Sequence, residues 1–374
     1  MKSKFPTIIM NIIIILIMCV FILFGYIFFE EFVQLPTSVE PENFQTIISE
    51  NSNTIDTNIE TPQIIENPLN DIEQSQENGQ KVDYSNVQVD KYFYNQLEDE
   101  AKTIYKALEA NQENLKTGTY KIELGDTFSS VLSKANGQDE LGRYYQSAIE
   151  AYTYDNPEVF YLSPNKMYLN IETTTTGNKS IYYVYINSGS ESNYLIDEFS
   201  SEQQIDEAIN KIEKVKQSLV AKKTGDTYQD IKMVHDYLVD NIEYDTTIAK
   251  ANIYDVYGAL INHVAVCEGY ARSFKYIMDS MQIPCVLVIG KGTNSEGKTE
   301  NHAWNYVQVE GTWYAIDTTW DDPVVSGGGK VSNESKYRYF LKGSNNFNRD
   351  HTPSGQFTPD GKVFEYPNIS SQDL

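Results

Sequence analysis

The chain is short of cysteine and of positive charge. Three Cys occur in 374 residues, and 29 Lys and Arg stand against 53 Asp and Glu. A net charge of −24 argues against nucleic acid as a partner, because gripping phosphates takes clustered Lys and Arg. Between Val33 and Gln80 there is no Lys or Arg at all. That stretch is rich in Asn, Gln, Ser, Pro and Glu and cannot bury enough surface to order itself. Residues 30–87 therefore read as a disordered acidic linker. No cofactor and no metal is expected. Asp321 and Asp322, ahead of Pro323, read as a turn rather than a calcium site. The glycine run Ser326–Lys330 lacks the strand–helix context of a phosphate loop.

One long apolar run is present. Phe5–Phe29 is almost wholly apolar over 25 positions, enough to cross roughly 30 Å of hydrocarbon as a helix. Lys2 and Lys4 precede it, while Glu30 and Glu31 follow. The charge bias places residues 1–4 in the cytoplasm and everything after the anchor outside. The expectation is a single-pass protein of the cell membrane with an extracellular C-terminal domain. A cleaved signal peptide is the rival reading, but the run is long for one and no small-x-small cleavage site follows. Cys19 reads as a packing or lipid-facing residue.

Residues 88–222 read as a small α+β module. Gln96–Leu115 has helical spacing of Leu97, Ile104, Ala107 and Leu108, and a second helix is expected near Leu141–Tyr152. Lys166–Glu172 and Ile181–Asn187 look like strands around a polar turn, "TTTTGNKS". Ser201 and Gln204 form a capping box that opens an amphipathic helix. No chemistry-bearing constellation appears in this module.

Residues 223–374 carry the chemistry. Asp226 caps a helix whose Ile231, Val234, Leu238 and Ile242 share one face. His235 within it reads as structural, as does His263 further on. After Cys267, the residues Tyr270, Phe274, Ile277, Met278 and Met281 recur on one helix face, with Glu268, Arg272, Lys275 and Asp279 opposite. "IPCVLVIGKG" reads as a buried strand. Two further strands meet at Glu310-Gly311, a plausible tight hairpin turn. In that register Val309 opposes Thr312, Trp304 opposes Asp317 and His302 opposes Thr319. His302 and Asp317 then lie on one sheet face as diagonal neighbours.

An imidazole beside a carboxylate is the orienting half of a nucleophilic triad. Cys267 supplies the third member. At a helix start, unpaired backbone N–H groups and the helix dipole favour the thiolate. Taken singly, each residue has a blander reading: a small buried hydrophobe, a structural histidine, a turn-capping acid. Their joint occurrence in this order favours chemistry. A disulfide is the competing use of Cys267. Its partner would be Cys285, but a helix from Cys267 to Met281 rises roughly 21 Å, and a disulfide needs Cα atoms within about 7 Å. Cys285 reads as an inert buried residue, and His351 has no partner in the sequence.

"VCEGYARSFKYIMDSMQIPC", "NHAWNYV" and "GTWYAIDTTWDDP", in that order, resemble the bacterial branch of the transglutaminase-like superfamily over roughly Tyr228–Pro323. The resemblance implies a papain-like α+β core, with a Cys-bearing helix packed on an antiparallel sheet. It implies Cys267 as nucleophile, His302 as general base and acid, and Asp317 as orienting acid. One feature departs from papain-type sites: Ile261 stands where a glutamine would help form the oxyanion hole. The backbone N–H of Cys267 supplies one donor there and Tyr257 is the candidate second. Tyr270, Trp304 and Trp320 are candidate cleft residues. The expected function is a cell-surface enzyme acting on amide bonds of protein or cell-wall peptide through a thioester, either a hydrolase or a transamidase. The alternative is a non-catalytic surface protein that uses the same fold for binding.

Overall fold

Two left-handed residues fix the geometry of the C-terminal sheet. Glu310 at φ 49° and Gly311 at φ 82° make the two-residue turn whose twist matches paired strands. They join β7 (Thr299–Val309) to β8 (Thr312–Ile316), with Val309 opposite Thr312 as the sequence predicts. The ladder stops at Asn305 opposite Ile316. The chain leaves the sheet there and turns, so Asp317 and Thr319 do not continue β8. The expected strand pairing of His302 with Thr319 gives way to a turn. β6 (Cys285–Thr293) lies on the other side of β7, and the short β9 (His351–Pro353) lies beyond it. All pairings are antiparallel, in the order β8-β7-β6-β9.

The computed structural model describes residues 82–295, 297–322, 333–356 and 362–374. The expected tail 1–4, the anchor 5–29, nearly all of the linker 30–87 and the glycine run Ser326–Lys330 lie outside the described residues. Among the described residues no helix is long and apolar enough to cross a membrane.

The segment before this sheet starts with α1 (Asp99–Ala110) and α2 (Gly137–Asp155). Three strands follow the order β1-β3-β2, with β1 at Ile122–Gly125, β2 at Tyr168–Thr176 and β3 at Lys179–Asn187. The polar run expected as a turn is mostly strand: Thr173–Thr176 pairs residue for residue with Lys179–Tyr182. β-branched threonines favour the pleated conformation, and Gly177 at φ 62° starts the turn itself. In α3 (Glu202–Val220) the Ser201 hydroxyl accepts the Gln204 amide. The return bond shifts by one residue, since Gln204 Oε1 accepts from the backbone N–H of Ser200. In α4 (Thr227–Asn241) Asp226 accepts the Gln229 amide.

The helix α5 (Cys267–Ser280) begins where Val266 is fully extended, at ψ −179°. It stops at a Schellman turn, in which Ile283 N–H donates to Met278 O and Gln282 N–H to Asp279 O, both at 3.0 Å. Gln282 takes the left-handed conformation at φ 58°, and Pro284 follows, where a helix cannot continue. The face of Tyr270, Phe274, Ile277 and Met278 is buried. Asn305 on β7 donates to Ala271 O of α5 at 3.0 Å, tying helix to sheet. This is the expected α+β arrangement, a Cys-bearing helix on an antiparallel sheet. One hydrophobic cluster runs from Phe93 through α5 to Phe364, so both halves of the described chain share a core.

Candidate active site

Three structures hold the start of α5. β4 (Glu243–Tyr244) pairs in parallel with β5 (Val264–Ala265), setting Tyr244 opposite Ala265. Val266 N–H donates to Ile253 O at 2.9 Å. Gly269 lets the same segment approach, since a Cβ there would lie 2.5 Å from Ile253 O. Just upstream, Gly258–Asn262 is a single π-helical turn ending at His263 with φ 57°, a local widening of the helix common beside functional sites. Cys267 is half-buried against Ala271, Leu287 and Ala303, with Tyr154 and Ile289 alongside. Both described cysteines are free.

His302 and Asp317 meet as the hairpin parity predicts. His302 Nε2 stands 2.6 Å from Asp317 Oδ2. The turn that ends the ladder also fixes the acid, because Asp317 Oδ1 accepts the amides of Thr319 at 3.0 Å and Trp320 at 3.1 Å. Cys267 lies near enough to His302 to help raise its pKa, after the Asp317 carboxylate. With Nε2 taken by Asp317, Nδ1 is left for the thiol. Burial acts to lower the His302 pKa, but the Asp317 carboxylate overrides it and raises the value to about 10. For Asp317 burial pushes upward, yet His302 and then His351 hold the carboxyl well below the usual range. Trp320 stacks on His302 with centroids 4.9 Å apart and planes 27° apart.

The other candidates are distributed differently. Trp320 is half-buried over the imidazole, consistent with a place at the site. Tyr270 and Trp304 are corrections, because both are core residues, 0% and 1% exposed. The Tyr270 hydroxyl lies 3.0 Å from Ile242 O and 2.6 Å from Asp322 Oδ2, with its single proton between them. Trp304 packs among Val288, Tyr306 and Phe347. Apolar spacing alone cannot tell an aromatic at a cleft from one beneath it. The Tyr257 ring stacks on Phe160 at 6.0 Å and meets Phe199 edge-on at 5.7 Å. Asp321 accepts from buried His235 at 3.0 Å and from Tyr339 N–H at 2.7 Å, which ties the turn to α4.

Two residues were missed. Tyr244 is half-buried near the thiol: burial, and after it Cys267, raise its hydroxyl pKa. Its parallel pairing two residues before the helix could not be read from periodicity. His351 lies 3.1 Å from Asp317 Oδ2 through Nε2, and 2.7 Å from Asp350 Oδ1 through Nδ1. No signal in the sequence marks it, since the partner lies 34 residues earlier and β9 is only three residues long. His302, Asp317 and His351 place donor atoms within 4.8 Å of one another. Their nitrogens converge on one carboxylate oxygen at 2.6 and 3.1 Å. That is N–H···O geometry, tighter than the roughly 3.3 Å between neighbouring ligands of a tetrahedral zinc.

Residues 213–318 match the Transglutaminase-like superfamily (Transglut_core), and Cys267, His302 and Asp317 fall inside the matched span. The chain is 27% identical over 143 residues to Kyphoscoliosis peptidase of Mus musculus, and 27% identical over 141 residues to that of Homo sapiens. In both cases the match covers 34% of this chain and 21% of the relative, so the chain spans about a fifth of their length. A solved structure of a TGase aligns with 46% of this chain and 49% of its own, at 17% identity and a TM-score of 0.29.

Proposed function

We propose that this protein is a cysteine enzyme acting on amide bonds through a thioester. The observation that carries the reading is the meeting of a helix-start Cys267 with an imidazole that Asp317 holds at 2.6 Å. His302 Nδ1 takes the proton from Sγ, and the sulfur attacks the amide carbonyl carbon. The C–N bond breaks as His302 returns that proton to the leaving amine. Water or a second amine then attacks the thioester carbon while giving a proton to His302. The C–S bond breaks and the proton returns to sulfur. The Cys267 backbone N–H, in the first helical turn, has no intrahelical acceptor and supports one side of an oxyanion hole. Tyr257 and Tyr244 are the candidates for the other side.

The finer reading rests on the sequence. Residues 5–29 anchor the chain in the cell membrane and the C-terminal domain faces outward, where proteins or wall peptides are the substrates. The peptidase names of the two relatives favour hydrolysis over transamidation. A thiol-directed or glutamine-mimicking probe, applied to the full chain in membranes, should label it, and Cys267→Ala should remove the label. Labelling that persists in that variant would sink the nucleophile assignment. Protease treatment of intact cells tests the outward orientation, which fails if residues after the anchor are protected.

A further inference from the structure

Asp317 serves two histidines. His302 and His351 both direct Nε2 at its Oδ2, from opposite sides of β6: Gly290 pairs with His302 on β7, and Gly292 pairs with His351 on β9. A carboxylate oxygen accepting two N–H donors is fixed more firmly than one with a single partner. His351 is itself fully immobilised. Its side chain is 0% exposed, its ring stacks on Phe347 at a centroid distance of 4.0 Å, and Trp320 packs against it at 4.4 Å. Its other nitrogen meets Asp350, whose second oxygen accepts the Tyr339 hydroxyl at 2.9 Å; with a carboxylate on each nitrogen, His351 donates to both only as imidazolium.

We propose that His351 is a positioning residue for the reaction proposed above: it aims the Asp317 carboxylate at His302, and Asp350 and Tyr339 in turn aim His351. This inference rests on Cys267 acting as nucleophile. The chain of contacts runs Cys267, His302, Asp317, His351, Asp350, Tyr339. The titratable and charged groups facing His351 are His302 from β7, Asp317 from the turn after β8, and Tyr339 and Asp350 from the segment leading into β9. Lys291 on β6, opposite Thr352, binds Asn301. The same arrangement explains Trp320, which touches both imidazoles and keeps water from the shared oxygen.

The test is the pH dependence of Cys267 alkylation by iodoacetamide in the full chain, which needs no substrate. His351→Phe keeps an aromatic ring in an aromatic pocket but removes the donor; His351→Gln keeps an N–H donor but removes the ring. Positioning predicts that Phe lowers the rate at neutral pH about tenfold, the scale of one lost hydrogen bond to a charged group. It also predicts that the half-maximal pH moves upward by about half a unit or more, because a loosened Asp317 stabilises imidazolium less well. Gln should recover most of both effects. A packing role predicts the reverse order, Phe tolerated and Gln not, and that result would overturn the proposal. If His351→Phe does not fold, Asp350→Ala at a half-buried position releases the far nitrogen and should shift the profile in the same direction. Superposition on the unsubstituted profile would overturn the proposal as well. Slow alkylation of Cys267 in the unsubstituted protein would instead sink the nucleophile reading and this inference with it.

Discussion

Arg272, on the same helix as Cys267, donates through Nη1 to the backbone oxygen of Thr153 at 2.6 Å, bridging 119 residues of sequence. Its Nε donates to Glu268 at 2.8 Å, and its guanidinium lies 4.8 Å from the centre of the Tyr154 ring. Tyr154 and Cys267 pack against the same small cluster of Ala271, Leu287 and Ala303, so the N-terminal module reaches the apolar patch under the start of the helix. Lysine is a compact charge without the planar fork and cannot satisfy Thr153 and Glu268 while covering the ring. Arg272→Lys is expected to cost about 1–3 kcal/mol, read as a lower thermal midpoint. An unchanged midpoint would remove this bridge from the structural account.

Gly290 is where two strands close around a third. A Cβ there would lie 2.2 Å from Thr352 O and 2.5 Å from Trp304 Cη2, backbone on one side and a buried ring on the other. Gly290→Ala should force β9 away from β6 at a cost of about 1–3 kcal/mol. Ser354 N–H, which donates to Ile289 O at 3.0 Å, reports the change. Its hydrogen exchange should quicken in the variant, and exchange at the unsubstituted rate would show that β9 had not moved.

Stability should fall as pH rises, through two adjoining windows. Burial raises the carboxyl of Asp255 to about 7 and those of Asp321 and Asp322 to about 6. Each raised carboxyl stabilises the fold fully below its unfolded value, about 3.9, and loses that contribution as pH rises through the folded value. His302, raised to about 10, contributes below its unfolded value near 6.5 and loses that contribution through about 10. The lowered Asp317 acts the other way, adding stability above its unfolded value and losing it only in strong acid. The thermal midpoint should therefore drop between about pH 4 and 7 as the carboxyls ionise, and go on falling from about 6.5 to 10 as His302 loses its proton. Asp255→Asn should flatten the first drop, and a midpoint rising from about pH 4 to 7 would contradict the assignment.

The two described cysteines should behave differently toward alkylation. Neither needs prior reduction, because both are free. Cys285 is buried at the start of β6, and burial pushes its thiol pKa well above the ordinary value. Mass spectrometry after brief iodoacetamide treatment of the native protein should find Cys267 modified and Cys285 untouched until unfolding. Equal reaction at both would argue against a special environment for Cys267.

The residues that the sequence brings together are those governed by local rules. Helix periodicity placed Tyr270 and Phe274 inward, and a Glu-Gly turn fixed the parity that joins His302 to Asp317. What escaped depends on contacts between distant segments. β9 has three residues and no alternation to read, so His351 looked isolated. Tyr244 sits beside the thiol through a two-residue parallel pairing. Trp304 and Trp320 both lie against the His302 and His351 rings, but Trp304 is buried within β7 while Trp320, in the turn after Ile316, stays half-buried over the imidazole. The polarity of the Thr173–Thr176 run suggests a turn, whereas its β-branching carries the strand through to Gly177.

The short β9 also bears on how this protein can be cut for study. The matched span ends at Thr318 and contains β6, β7 and β8 but not β9. A fragment confined to residues 213–318 would leave Gly290–Gly292 with unpaired N–H and C=O groups along an open, largely apolar strand. Such an edge invites pairing with a second copy and then a third. The same fragment would lose Tyr154 and Phe364 from opposite ends of a continuous core. A piece from about residue 82 to 374 keeps β9 on its sheet and the shared core whole, and pieces cut short of either should aggregate.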